Sequence, residues 1–340
     1  MSANPHQELI SLTGIKPTGS PTLGNYLGML RPALELAEDH RALYFIADYH
    51  ALTTVHDGEQ MREATAEMAA TWLAVGLDPS EAVIYRQSDV PEVFELTWIL
   101  NCFAPKGLLN RAHAYKAIVD ENADAGRTPD DGVSMGLFNY PVLMAADILA
   151  FDADVVPVGL DQKQHLEITR DIAAALNSTY EAELLKLPEP LIRETVETVP
   201  GTDGRKMSKS YDNTLPIFIG PDEMRKRIRR IVTDSRRPED PKDPESDTLF
   251  RIYRAVAPPE ATEDLRTSYL EGGIGYGQVK DDLADRVEAL LGGPRQTFHE
   301  LMADRAELER VLADGAQRAR EIAAGVLWRV RAAIWVGSSA

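Results

Sequence analysis

The sequence predicts an α/β fold, a parallel sheet with helices on both faces, followed by a mostly α-helical region. Three observations predict it. Short apolar runs alternate with longer amphipathic stretches through the first half. Glycines and prolines punctuate the joins. After Gly220-Pro221 only helical periodicity continues. Alternation of this kind belongs to parallel sheets whose crossover helices cover the two faces.

In chain order, residues 10–14 read as a strand ending in a turn, and a helix is expected over 24–39. Residues 43–48, Leu-Tyr-Phe-Ile-Ala-Asp, form a buried strand before a helix over 58–76. Residues 82–86 and 155–158 are two more strands, with helices over 90–103, 136–151 and 162–176. The segment 187–204, rich in Pro, Gly, Thr and Glu, is assigned no element. Helices follow over 222–233, 248–255, 259–270, 275–291 and, in pieces, 294–335. The charged, proline-containing stretch 236–247 reads as an exposed loop. The expected division is a Rossmann-like domain over 1–204, a loop over 205–215, and a helical region over 216–340. The last helices of that region are expected to pack back on the first domain.

The 340 residues are 44% hydrophobic, enough for two core-forming units or one large domain with an appendage. One cysteine, Cys102, permits no internal disulfide and no cysteine-based metal site; within an amphipathic stretch it reads as core. No basic-then-apolar leader opens the chain, and the longest apolar stretch, 135–151, is broken by Asn139, Pro141 and Asp147. A cytoplasmic protein without a membrane anchor is the expectation. The net charge of -18 argues against a general nucleic-acid coat. A local basic face is still available in Arg225, Lys226, Arg227, Arg229, Arg230, Arg236 and Arg237. A solvated helix face explains that run as well as a phosphate contact does.

Two motifs carry chemistry. The turn from Gly14 to Asn25 (Gly-Ile-Lys-Pro-Thr-Gly-Ser-Pro-Thr-Leu-Gly-Asn) follows a strand and opens a helix. Its glycines let a base and a phosphate chain approach backbone and helix N-terminus, although a tight strand–helix turn has the same composition. The second motif is Lys206-Met207-Ser208-Lys209-Ser210, preceded by Gly201-Thr202-Asp203-Gly204-Arg205. Two lysines three apart with interleaved serines make a compact anion site, and lysine, a point charge on a flexible stem, can follow a phosphate that moves during reaction. Together the motifs point to an enzyme that works on ATP, where positioning and charge neutralisation supply most of the catalysis.

Thr22-Leu23-Gly24-Asn25 resembles the first signature of the class I aminoacyl-tRNA synthetases, and residues 206–210 match their second. The order and separation are similar to the small dimeric subclass that charges tyrosine or tryptophan. Met144-Ala145-Ala146-Asp147-Ile148-Leu149 and Val156-Pro157-Val158-Gly159-Leu160-Asp161-Gln162-Lys163-Gln164-His165 resemble its tryptophan branch. So do Val232-Thr233-Asp234-Ser235 and Gly275-Tyr276-Gly277.

The resemblance implies that Lys206, Ser208, Lys209 and Asn25 act in catalysis. It implies ATP contacts at Lys16, Pro17, Thr18, Thr22, Gly24, Asn25, Lys116, Gly159, Leu160, Asp161, Val199, Lys206, Met207, Ser208, Lys209 and Ser210. It places the amino acid among Asp147, Tyr140, Met144, Val156, Val158, Gln162, His50, Gly14 and Leu12. Asp147 would accept the indole N–H. A carboxylate in an otherwise apolar helix is expensive without a donor, and a site built around one N–H rejects side chains that lack it. Asp161 also reads as a helix N-cap. Core packing explains Met144, Val156 and Val158 equally well.

The implied partners are ATP, L-tryptophan, tRNA(Trp) and a second copy of the chain, with Mg²⁺ brought by ATP and no dedicated protein metal site. Three positions depart from the usual pattern: Thr22 replaces the histidine of the first signature, Lys16 a glutamine, and Leu12 an aromatic. The alternatives are a tyrosine-specific relative, a non-catalytic nucleotide-binding regulator, and a nucleotidyltransferase acting on a small acid without tRNA.

Overall fold

The computed structural model describes residues 9–159, 162–192 and 199–335. Five strands form one parallel sheet: β1 (Ile10–Ile15), β2 (Arg41–Ile46), β3 (Val83–Arg86), β4 (Val155–Val158) and β5 (Glu189–Ile192), in the order β3-β2-β1-β4-β5. Successive side chains point to opposite faces. Leu43, Phe45, Val83 and Tyr85 therefore enter one core cluster, and Tyr44, Ile46 and Ile84 the other. The strand β5 is a finding beyond the sequence reading. Pro190 pairs opposite Val156 on the sheet edge, a place where a residue without an N–H costs no ladder bond.

The helices are α1 (Leu23–Asn25), α2 (Arg31–Ala37), α3 (Asp48–Ala51), α4 (Gly58–Ala74), α5 (Pro91–Asn101), α6 (Lys106–Leu109), α7 (His113–Asp124), α8 (Met135–Leu149), α9 (Lys163–Tyr180), α10 (Pro221–Arg229), α11 (Thr248–Val256), α12 (Pro259–Glu271), α13 (Tyr276–Ala303) and α14 (Arg305–Ile334). A π-helical turn, Tyr26–Leu30, joins α1 to α2, so the single helix expected over 24–39 is locally unwound beside the first signature. The break expected before Pro294 is absent, since α13 runs through Gly292-Gly293-Pro294 to Ala303. Packing holds it: Phe298 stacks on Phe218 at 4.0 Å, and Arg295 donates to the Ile219 carbonyl. The chain breaks at Asp304, whose side chain caps α14 by accepting from the Glu307 N–H. Cys102, expected in the core, is exposed, because α5 ends at Asn101 and the thiol lies past the buried stripe.

Helix α14 covers the edge strand β3. A Cβ on Gly315 would lie 1.8 Å from the Ile84 carbonyl oxygen, so only glycine allows this approach. Arg318 donates to the carbonyls of Pro79 and Ala82, and Arg329 to Asp152 and the Leu184 carbonyl. Covering β3 removes an exposed pairing edge. Strand order reverses between β1 and β4, and in such sheets the ligand crevice opens at the C-terminal strand ends beside the reversal.

Candidate active site

A cavity of about 610 Å³ lies at that reversal. Leu12, Gly14 and Lys16 reach it from β1 and its exit, and Val156, Val158 and Gly159 from β4. Tyr140, Met144 and Ile148 line it from α8, His50 from α3, and Gln162 from the start of α9. Gly14 is required because a Cβ there would stand 2.3 Å from the Phe45 ring, which lies across the strand and also lines the cavity. Leu12 occupies the place expected for an aromatic, and Phe45 supplies a ring to the same cavity.

Asp147 belongs to the cavity-facing stripe of α8, since Met144, Asp147 and Ile148 are three and four residues apart. Its carboxylate is 2% exposed and is not itself part of the lining. It lies behind His50, whose Nε2 is 2.8 Å from Oδ2. With Asp147 ionised, its carboxylate only accepts, and the proton of this bond is assigned to Nε2. The Gln87 amide donates to Oδ1 at 2.7 Å and to Oδ2 at 2.9 Å. Burial raises the Asp147 pKa above the usual carboxylate range, and the His50 and Gln87 bonds oppose that rise. Tyr140 meets His165 through a phenol–imidazole hydrogen bond of 2.5 Å. At the rim, Lys16 reaches the Thr53 hydroxyl at 3.4 Å, and partial desolvation holds its pKa below 10.5.

The two signatures meet. Thr22 and Asn25 form a capping box: Thr22 Oγ1 accepts from the Asn25 N–H, and Asn25 Oδ1 accepts from the Thr22 N–H at 3.0 Å and its hydroxyl at 2.9 Å. The Asn25 oxygen is thereby committed, leaving its amide N–H groups as donors. Lys209 Nζ donates to the Thr18 carbonyl at 2.8 Å, and a Cβ on Gly19 would lie 3.3 Å from that ammonium. Met207 lies over Gly24, 3.5 Å from its hypothetical Cβ.

Asn213 scaffolds the lysine loop. It is buried, accepts from the Ser208 N–H at 2.8 Å, and donates to the Lys206 carbonyl at 3.1 Å and to Asp203 at 2.7 Å. The bond from Asn213, with those from Arg205, holds the Asp203 pKa down to about 2. A Cβ on Gly201 would collide with Asn213 at 2.2 Å. Lys206, Lys209 and Ser210 remain exposed on this frame.

A profile of the tRNA synthetases class I (W and Y) matches residues 4–292. The chain belongs to that family. It is 50% identical to a tryptophan–tRNA ligase of Pseudomonas putida over 96% of this chain and 74% of the relative. The corresponding enzyme of Neisseria meningitidis is 48% identical over 96% and 97%. The crystal structure of tryptophanyl-tRNA synthetase from Campylobacter jejuni, complexed with ADP and tryptophan, superposes with a TM-score of 0.87 at 42% identity, covering 96% of this chain and all of that one. A tyrosyl-tRNA synthetase from Archaeoglobus fulgidus shares the fold at 19% identity and a TM-score of 0.61.

Not every residue singled out for the family's site reaches the cavity. Lys116 is an exposed residue of α7 outside the lining, although Ala114 two residues earlier is in it. Val199 is buried in the hydrophobic core, one residue before the bridge between Pro200 and Lys206, and does not line the cavity. Leu160 and Asp161 lie outside the described residues. Pro17 and Thr18 sit in the turn that receives Lys209. Among the described residues no group of three or more His, Cys, Asp or Glu side chains converges as a metal cage would, and no helix is long and apolar enough to cross a membrane.

Sequence reasoning missed Gln87, His165, Phe45 and Asn213. Gln87 follows a strand whose C-terminal end faces the crevice, a position where a polar residue is informative. Phe45 and His165 act through residues distant in sequence, and Asn213, whose partners lie within ten residues, is an uncharged amide with nothing to single it out.

Proposed function

We propose that the chain is a tryptophan–tRNA ligase that works in two steps. The tryptophan carboxylate attacks the α-phosphate of ATP and pyrophosphate leaves. The terminal ribose hydroxyl of tRNA(Trp) then attacks the tryptophanyl-adenylate. The observation that carries this reading is the juxtaposition of a largely apolar cavity, backed by the buried Asp147, with a lysine loop docked on the first-signature turn.

In this reading Asp147 accepts the indole N–H, and Met144, Val156 and Val158 wall the ring. Tyr140, His50 and Gln162 serve the polar end of the substrate, with Gly14 giving clearance and Leu12 packing beneath. A carboxylate has about four acceptor positions, of which the His50 and Gln87 bonds use three. The one left, on Oδ1, takes the substrate.

The ATP phosphates lie along Gly24 and the Asn25 amide, with Lys16, Pro17, Thr18 and Thr22 shaping the turn. Gly159, Leu160, Asp161 and Val199 are assigned to nucleoside contacts and Lys116 to the triphosphate's far end. Lys206, Ser208 and Lys209, with Met207 and Ser210, stabilise the departing pyrophosphate. No enzyme nucleophile is needed, since both attacking oxygens belong to substrates. Mg²⁺ enters with ATP and shares the phosphate charge. The cationic and hydroxyl side chains of the loop fit a metal carried by the nucleotide better than one caged by protein carboxylates.

The catalytic assignment covers residues 1–204, with 205–215 as the moving loop and 216–340 as the tRNA-binding region. The basic stretch from Arg225 to Arg237 is the proposed RNA face. Several of its arginines hold surface ion pairs, such as Arg229 with Asp281 and Arg236 with Asp234, and exposed pairs of this sort yield easily to a phosphate.

A homodimer in the cytoplasm completes the reading. Trp98 on α5 and Trp328 on α14, 72% and 68% exposed, support an apolar contact with a second copy.

The test is aminoacylation of tRNA(Trp) transcript by the purified protein. Tryptophan should be attached at the terminal adenosine. Charging of tyrosine, or pyrophosphate exchange without tRNA charging, would overturn the reading.

A further inference from the structure

Gln87 is fully enclosed at the exit of β3, and nothing in an apolar core calls for an amide there. Its polar atoms are spent in one direction. The Nε2 group donates to both oxygens of Asp147. The Oε1 atom accepts the backbone N–H groups of Tyr49 at 3.1 Å and His50 at 3.3 Å. One side chain thus ties the end of β3 to the first turn of α3 and to the carboxylate on α8. The terminal torsion of an aspartate is soft and roughly two-fold, so an isolated carboxylate turns freely about it. Here the Gln87 amide on one side and His50 Nε2 on the other fix its plane.

We infer that Gln87 is a positioning residue for amino-acid choice: it holds the Asp147 carboxylate so that the remaining acceptor position on Oδ1 meets the indole N–H, without touching the substrate itself. This rests on the reading that Asp147 accepts that N–H. By holding the His50 backbone as well, Gln87 keeps His50 Nε2 on Oδ2 and off the oxygen left for substrate. If Gln87 served only to satisfy a buried carboxylate, its loss would lower stability and weaken all amino acids alike.

The test separates these by using 3-(benzothiophen-3-yl)alanine, which keeps the shape of tryptophan but puts sulfur in place of the N–H. Pyrophosphate exchange gives kcat/KM for tryptophan and for this isostere, and the ratio isolates the N–H contact. Gln87→Asn keeps the amide but draws it back by one methylene from Asp147, Tyr49 and His50; Gln87→Met removes both the donor and the acceptor. The ratio should fall by about tenfold or more in each variant, with the KM for ATP unchanged. Should Gln87→Met fail to fold, Gln87→Asn decides alone. Asp147→Ala serves as the reference. An unchanged ratio in Asp147→Ala would refute the assignment of Asp147. A ratio that collapses in Asp147→Ala but stays at the wild-type value in the Gln87 variants would overturn the role of Gln87.

Discussion

The two halves of the site are held by opposite means. Around Asp147 the polar atoms are buried and paired, and a single acceptor position is left over. In the lysine loop the buried pairing belongs to the frame of Asn213, Asp203 and the Ser208 N–H, while Lys206 and Lys209 stay exposed, Lys209 with one surface bond to the Thr18 carbonyl. A fixed N–H is read well by a group that cannot move, because an imperfect partner leaves a buried charge unsatisfied. A pyrophosphate that departs is better served by hydrated point charges on flexible stems, carried by a small rigid base. The contrast teaches that recognition and charge handling need different degrees of burial within one site.

The comparison is broken most severely at the loop. Lys206→Ala or Lys209→Ala should lower the kcat of tryptophan-dependent pyrophosphate exchange by about 10²–10³-fold, the cost of losing one aimed charge in a transition state. The KM for tryptophan should hardly move in the same assay. At the other half the split reverses. Asp147→Ala should raise the KM for tryptophan by about 10–10²-fold, and a tryptophan titration of exchange at saturating ATP reads this directly.

Smaller effects sharpen the picture. Asn213→Ala should cost about tenfold in kcat, since the lysines remain but their frame loosens. Its KM for tryptophan is the control. Lys16→Gln, at the rim between the halves, should change the KM for ATP or tryptophan by only a few-fold, of order 1 kcal/mol.

The smallest effect is on pH dependence. The folded pKa of Asp203 is depressed from 3.8 to about 2, so its contribution is present in full above the unfolded value and is lost as pH falls toward the folded one. The hydrogen-exchange protection factor of the Ser208 amide should therefore be constant from about pH 8 to about pH 5 and drop only in stronger acid.

The parallel sheet was legible because its central strands are short apolar runs between glycine and proline breaks. Strand β5 was not, since Pro190 disqualifies a central strand and only the edge position makes it acceptable. The course of α13 through Pro294 was hidden for a related reason: the contact between Phe218 and Phe298 that holds it is tertiary. Within the site, Lys206 to Ser210 and Asp147 stood out by composition, a cation pair in a loop and a carboxylate in an apolar helix. Gln87 and Asn213 did not, because an uncharged amide becomes informative only when its partners are known.

The claim that Asp147 and its network choose the amino acid is tested most directly by pyrophosphate exchange of the unaltered protein with each amino acid offered singly. Exchange with tryptophan and none with tyrosine or phenylalanine is the predicted result. Exchange with tyrosine at a rate comparable to that with tryptophan would contradict the claim.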